Sequence, residues 1–189
     1  MVASTLRIVV YPSDNPYFHQ ARLWIDGKDW LGPECAGLDP PKLAAELLGT
    51  SERITVGRCW NDIVGCHDRT VKVTRTERSV HWSHFGGIRL RFDGPQYDAE
   101  VARFAQDRSW ESLERKAVRE INQVFRGTTI KGGFEFISSE PSRQERLVRL
   151  YFGRGTRSKP LKFKWDGTTL ADAVNQAKLF RAERFSHCR

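Results

Sequence analysis

The sequence predicts an α+β fold: an antiparallel sheet of seven to nine short strands, with two central helices and a C-terminal helix packed on one face. Three observations carry that prediction. Short runs such as Thr70–Thr76 and Ile88–Phe92 alternate apolar and polar residues, the pattern of strands with one buried side. After Phe92 the period changes from 2 to 3.6 and stays there to Phe125. A second helical stripe, Leu170, Val174, Ala177 and Phe180, follows the capping-box pattern Thr169-Leu-Ala-Asp172.

Taken in order, Leu6–Tyr11 is a strand stopped by Pro12, and Arg22–Ile25 is another, closed by the tight-turn pair Asp26-Gly27. Asp39-Pro40-Pro41 opens a short helix with Leu43, Leu47 and Leu48 on its apolar side, and Gly49 ends it. Arg53–Gly57 is a strand that delivers the chain to Cys59. Thr70–Thr76, Ser79–His84 and Ile88–Phe92 make an antiparallel meander, with Val71, Val73, Val80 and Trp82 on its buried side.

Asp93-Gly94-Pro95 starts a helix with Tyr97, Val101, Phe104 and Ala105 on one side. Ser109 is the expected cap of the next, whose stripe runs Trp110, Leu113, Ala117, Val118, Ile121, Val124, Phe125. Gly133–Ser138, Leu147–Phe152 and Leu161–Trp165 follow as strands, joined by polar loops at Ser138–Gln144 and Gly153–Pro160. The reading treats residues 1–189 as a single domain, with a sub-division near 127–146 as the alternative.

Composition narrows the class. Six Trp and eleven Phe supply large buried areas despite a hydrophobic fraction of 39%. No run approaches the ~20 apolar residues of a membrane span, and the first thirty residues lack a signal-peptide pattern. With four Cys in 189 residues, the sequence predicts reduced thiols and a soluble, cytoplasmic protein with no membrane partner. The net charge of +8 is local: Pro141–Arg189 holds twelve Lys and Arg against four acids, while the other residues balance at nineteen of each.

Candidate chemistry is sparse. The sequence lacks G-x-S-x-G, H-E-x-x-H and P-loop patterns, which leans the reading away from an enzyme and away from any cofactor. Cys59, Cys66 and His67, with His81 and His84 downstream, are the metal-ligand candidates. Their spacing is not that of paired zinc ligands, Cys35 and Cys188 stand apart, and small semi-buried loop cysteines account for the same pattern. The second set is basic: Arg149, Arg154, Arg157, Lys159, Lys162 and Lys164, on a C-terminal hairpin and its connecting loop. Such residues either attract a polyanion or simply solvate an exposed strand and blunt its edge.

The run Gly57-Arg58-Cys59, Gly65-Cys66, Val71-Lys72-Val73-Thr74-Arg75 and Val80-His81-Trp82-Ser83, followed by Phe92-Asp93 and Gln96–Val101, resembles a family of small uncharacterised bacterial proteins. These carry a Gly/Cys loop before a Val-x-Trp-Ser strand pair. The likeness spans about Arg53 to Trp110 and departs at Trp60–Val64, where the family has further Gly and Cys. It implies a bacterial, cytoplasmic protein and brings no catalytic residue with it.

Three functional readings remain open at this level. A non-catalytic protein-interaction module, immunity- or adaptor-like, stands first. Binding of nucleic acid or another polyanion through the basic hairpin stands second, and a metal-binding Cys/His loop third. A protein partner, a nucleic acid and a second copy of the chain are the candidate partners.

Overall fold

A computed structural model describes residues 2–12, 18–59, 68–84 and 87–185. The fold is α+β, with antiparallel ladders throughout the sheets. The chain divides into two compact units, Met1–Trp110 and Glu111–Arg189.

The first unit contains β1 (Leu6–Pro12), β2 (His19–Ile25), β3 (Lys28–Asp29), β4 (Cys35–Ala36), α1 (Pro40–Leu48), β5 (Arg53–Cys59), β6 (Arg69–Arg75), β7 (Ser79–Ser83), β8 (Arg89–Asp93) and α2 (Gly94–Gln106). Its strands form two sheets, β1-β2-β3 and β4-β5-β6-β7-β8. Single bridges join them: Ser4 N–H donates to Arg91 O at 2.7 Å, and Ala21 N–H donates to Leu38 O at 2.8 Å. Hydrogen bonding thus passes from β8 to the start of β1, and from β2 to the residues just after β4.

The predicted meander is present as β6-β7-β8, with Val73 opposite Trp82 and Trp82 opposite Leu90. Trp82, Phe92 and Tyr97 lie within 6 Å of one another, edge-on or tilted, at the centre of this unit's core. Such pairings add to the burial of large rings.

Helix side chains complete the outer edge of β1. Gln96 Nε2 donates to Leu6 O at 2.9 Å, Glu100 Oε1 accepts from Ile8 N–H at 2.6 Å, and Arg103 Nη2 donates to Ile8 O at 2.9 Å. These residues sit four and then three positions apart on α2, so they share one face of the helix. Backbone groups left open at an edge are costly when buried, and here three polar side chains satisfy them.

The second unit contains α3 (Leu113–Phe125), β9 (Thr129–Ile130), β10 (Phe134–Ser142), β11 (Leu147–Arg154), β12 (Arg157–Lys164) and α4 (Leu170–Phe185). Its sheet order is β12-β11-β10-β9. Ala117, Ile121 and Phe125 from α3, Val148, Leu150 and Phe152 from β11, and Ala173 and Ala177 from α4 are buried together.

Several local expectations shift. Ser112, not Ser109, caps α3, accepting from Arg115 N–H at 3.1 Å. Asp107 is the cause: its carboxylate takes Ser109 N–H and its carbonyl takes the Trp110 indole N–H, so the chain turns before it can start a helix. Trp110 therefore leaves the α3 stripe and packs on His19, 5.2 Å between rings. Asp39 sits at the N-cap of α1 without a side-chain capping bond. The Thr169 hydroxyl does accept Asp172 N–H (3.1 Å), but the Asp172 carboxylate returns to Asp166 N–H, not to Thr169. Three strands beyond the nine expected, β3, β4 and β9, are two residues long each, too short to show alternation.

Gly37 makes the closure beside β4 possible, because a Cβ there would lie 2.3 Å from the Ala21 carbonyl oxygen. Backbone cannot give way as a flexible side chain can. Gly37→Ala is expected to lower stability by about 2 kcal/mol or more, read as a lower urea midpoint with an unchanged slope.

Candidate polyanion-binding surface

The site begins with the pairing of β11 and β12. Their register runs without a break from Leu147↔Lys164 to Arg154↔Arg157. Side chains in such a ladder point alternately to its two faces. Val148, Leu150 and Phe152 are fully buried and Phe163 is nearly so, which fixes that face against the helices. Arg149, Lys162 and Lys164 consequently occupy the opposite, open face.

Arg154, Arg157 and Lys159 fall on the helix side by the same alternation. They remain exposed because every residue from Arg154 to Pro160 is exposed, so the helices do not cover this end of the ribbon. Arg149, Lys162 and Lys164 share one strand face, as the sequence suggested, whereas Arg154, Arg157 and Lys159, expected in the connecting loop, sit in the strands on the other face. The six basic residues wrap around a two-stranded ribbon, three on each side.

The expected connecting loop at Gly153–Pro160 is also shorter. Only Gly155 and Thr156 turn the chain, with Gly155 at φ +58°, and the neighbouring polar residues extend the strands. The expected loop at Ser138–Gln144 shrinks likewise, since β10 runs on to Ser142. From Arg154 to Pro160 both faces meet water, so alternation carries no apolar signal there, and at the end of β10 the buried positions are Ser139 and Pro141, residue types that read as a turn.

Electrostatics divides the set further. Arg149 pairs with Glu145 at 2.5 Å. On the same face the Tyr151 hydroxyl donates to Glu140 at 2.6 Å, and that bond raises the phenol above its ordinary pKa. Arg154 Nη1 donates to Gly132 O at 2.7 Å. Arg157, Lys159, Lys162 and Lys164 have no acidic partner among the described residues. They lie on β12, which is the outer strand of its sheet.

The neighbouring strand carries an irregularity that shapes the ribbon's flank. Its register slips between Phe136 and Ser138, leaving Ile137 as the extra residue, 63% exposed. Asn122 on α3 accepts both Ser139 N–H (3.0 Å) and Ser139 Oγ (2.8 Å), holding β10 just after the bulge. Gly153 leaves room for Ile137, whose Cδ1 would be 2.3 Å from a Cβ there. A cavity of about 570 Å³ lies beside this sheet, lined by Gly127, Thr128, Lys178, Arg181 and Phe185 among others.

The metal-ligand candidates separate. Cys66 and His67 lie outside the described residues. Cys59 ends β5 and faces Cys35 of β4, a neighbour the spacing of the sequence gave no reason to expect. His81 is bonded to the Ser79 hydroxyl (2.8 Å), and His84 Nδ1 lies 2.6 Å from the Thr70 carbonyl, an arrangement that makes Nδ1 the donor. Among the described residues, no group of three or more His, Cys, Asp and Glu side chains is placed to hold a metal ion. No helix among them is long and apolar enough to cross a membrane.

One ionisable group in the first unit is strongly perturbed. Burial pushes the Tyr97 phenol up to about 12, although the Arg75 guanidinium, 5.2 Å from the ring centre, and Trp82 pull the other way. An unfolded tyrosine ionises near 10. Stability from this group is thus complete below pH 10 and falls as pH rises toward 12, because only the unfolded chain gives up the proton in that window. Between pH 9.5 and 11.5 the wild type is expected to lose about 2 kcal/mol more than Tyr97→Phe, measured by urea unfolding at each pH.

No protein family, no curated protein and no solved structure matches the chain.

Proposed function

We propose that the protein binds nucleic acid, or a polyanion of similar charge density, through the β11–β12 ribbon. One observation carries the reading. Of the 31 Lys and Arg and 23 Asp and Glu, seventeen and nine fall in Glu111–Arg189, leaving fourteen of each in Met1–Trp110. The whole excess of +8 therefore belongs to the second unit, and its ribbon presents four cations without an acidic partner among the described residues.

Phosphate neutralisation by Lys and Arg supplies most sequence-independent affinity. A two-stranded ribbon is also narrow enough to enter the major groove of a duplex, about 12 Å wide. Phe125, Phe152, Phe163 and Trp165 of this unit are buried in its core, and the ring on the open face, Tyr151, is tied by its hydroxyl to Glu140. A phosphate-led mode, not base stacking, fits that division of labour.

Sequence alone ranked a protein-interaction module first. The concentration of unpaired charge on one ribbon moves the polyanion reading ahead of it. With four to six phosphate contacts, affinity for a short duplex of mixed sequence falls by about two to three orders of magnitude between 50 and 200 mM salt. Lys162→Glu combined with Lys164→Glu weakens binding and lowers the log–log salt slope by about 2. Fluorescence anisotropy across that salt range checks both, and an affinity indifferent to salt would overturn the reading.

A further inference from the structure

We propose that the cavity where the C-terminal ends of α3 and α4 meet the start of β9 binds a small carboxylate with an apolar body. The cavity belongs wholly to the second unit. Its volume of about 570 Å³ falls inside the range of about 300–1,000 Å³ typical of small-molecule sites. It stands apart from the β11–β12 ribbon, because none of the described residues of either strand lines it.

Charge makes it a site for an anion. Lys178 and Arg181 both line the cavity, three positions apart on α4 and so on one side of that helix. Neither has an acidic partner among the described residues, and no acidic side chain among those residues lines the cavity. Arg181 Nη1 donates to Val124 O at 2.5 Å, one of the last carbonyls of α3, which have no partner within the helix. That bond covers the negative end of the α3 dipole. It leaves the other guanidinium N–H groups for a carboxylate, which the planar fork takes in pairs.

The opposing wall is apolar and held in place. Val124 and Ala182 line it with Phe185, whose ring lies 6.2, 6.0 and 6.1 Å from those of Phe125, Phe152 and Phe180. An apolar body therefore meets a surface formed before it arrives, which limits the ordering cost of binding. Thr128 adds an independent sign. It is 7% exposed, lines the same cavity, and its buried hydroxyl has no hydrogen-bond partner among the described residues. Such groups are few in folded proteins, and each calls for an explanation. A ligand oxygen held here supplies the missing acceptor. Inorganic phosphate would satisfy the cations but offer nothing to the aromatic wall.

The full chain is titrated with phenylbutyrate at about 150 mM salt, where exposed charges are screened, and followed by backbone amide NMR. Saturable shifts are expected at residues 124–129 and 178–185, with a dissociation constant of about 1 mM or lower. The uncharged counterpart, phenylbutanol, binds about tenfold more weakly. Lys178→Gln, at an exposed position of α4, weakens phenylbutyrate binding by about three- to tenfold. Thr128→Val weakens it too without lowering the thermal midpoint, because it removes a hydroxyl that the free protein leaves unpaired. Ala182→Trp brings a large ring into the cavity from an exposed position and abolishes binding. Equal affinity for phenylbutanol, shifts confined to Arg157–Lys164, unchanged binding in Ala182→Trp, or no saturable shift at all would each overturn the proposal.

Discussion

Burial of one face of the β10–β11–β12 sheet is the constraint from which the rest of the second unit follows. Val148, Leu150 and Phe152 cannot leave the core without exposing large apolar surface, and Phe163 joins them from the neighbouring strand. With a period of two, that choice leaves no freedom to the residues between them. Arg149, Lys162 and Lys164 must face outward, and a slip of one residue would drive lysines into the helix layer. That half of the charged surface is the reverse side of the hydrophobic one, while Arg154, Arg157 and Lys159 lie on the helix side where the ribbon runs past the buried core.

The same economy appears where sheets end. An open edge invites pairing with another chain, and the fold answers in two ways. In the first unit, Gln96, Glu100 and Arg103 of α2 occupy the backbone groups of β1. In the second, β12 is left uncovered, but it carries alternating lysines and Pro160, which lacks an N–H to offer. The proposed binding surface is therefore also an edge protected by charge. These two roles do not compete, because a phosphate backbone seeks the side chains and leaves the strand's own hydrogen bonds alone.

Much of this was legible in the sequence, and what was hidden was hidden for physical reasons. The meander, the helix starting at Asp93-Gly94-Pro95 and the core face of β11 all announce themselves through periodicity, because each has one dry side. Arg154 to Pro160 meets water on both sides, so it read as a loop although it continues two strands. The cap of α3 was misplaced because Ser109 and Ser112 are equivalent in pattern; only the bonds collected by Asp107 distinguish them. The meeting of Cys35 with Cys59 depends on the register of a two-residue strand, which leaves no periodic trace.

The central claim is that charge excluded from one core forms the surface at which a polyanion docks. Its most direct test is a backbone amide NMR titration of the full chain with a short DNA duplex at low salt. The account predicts that shifts concentrate in Arg149 and in the ribbon from Arg154 to Lys164. Shifts concentrated instead in Met1–Trp110, or none at all at saturating duplex, would contradict it.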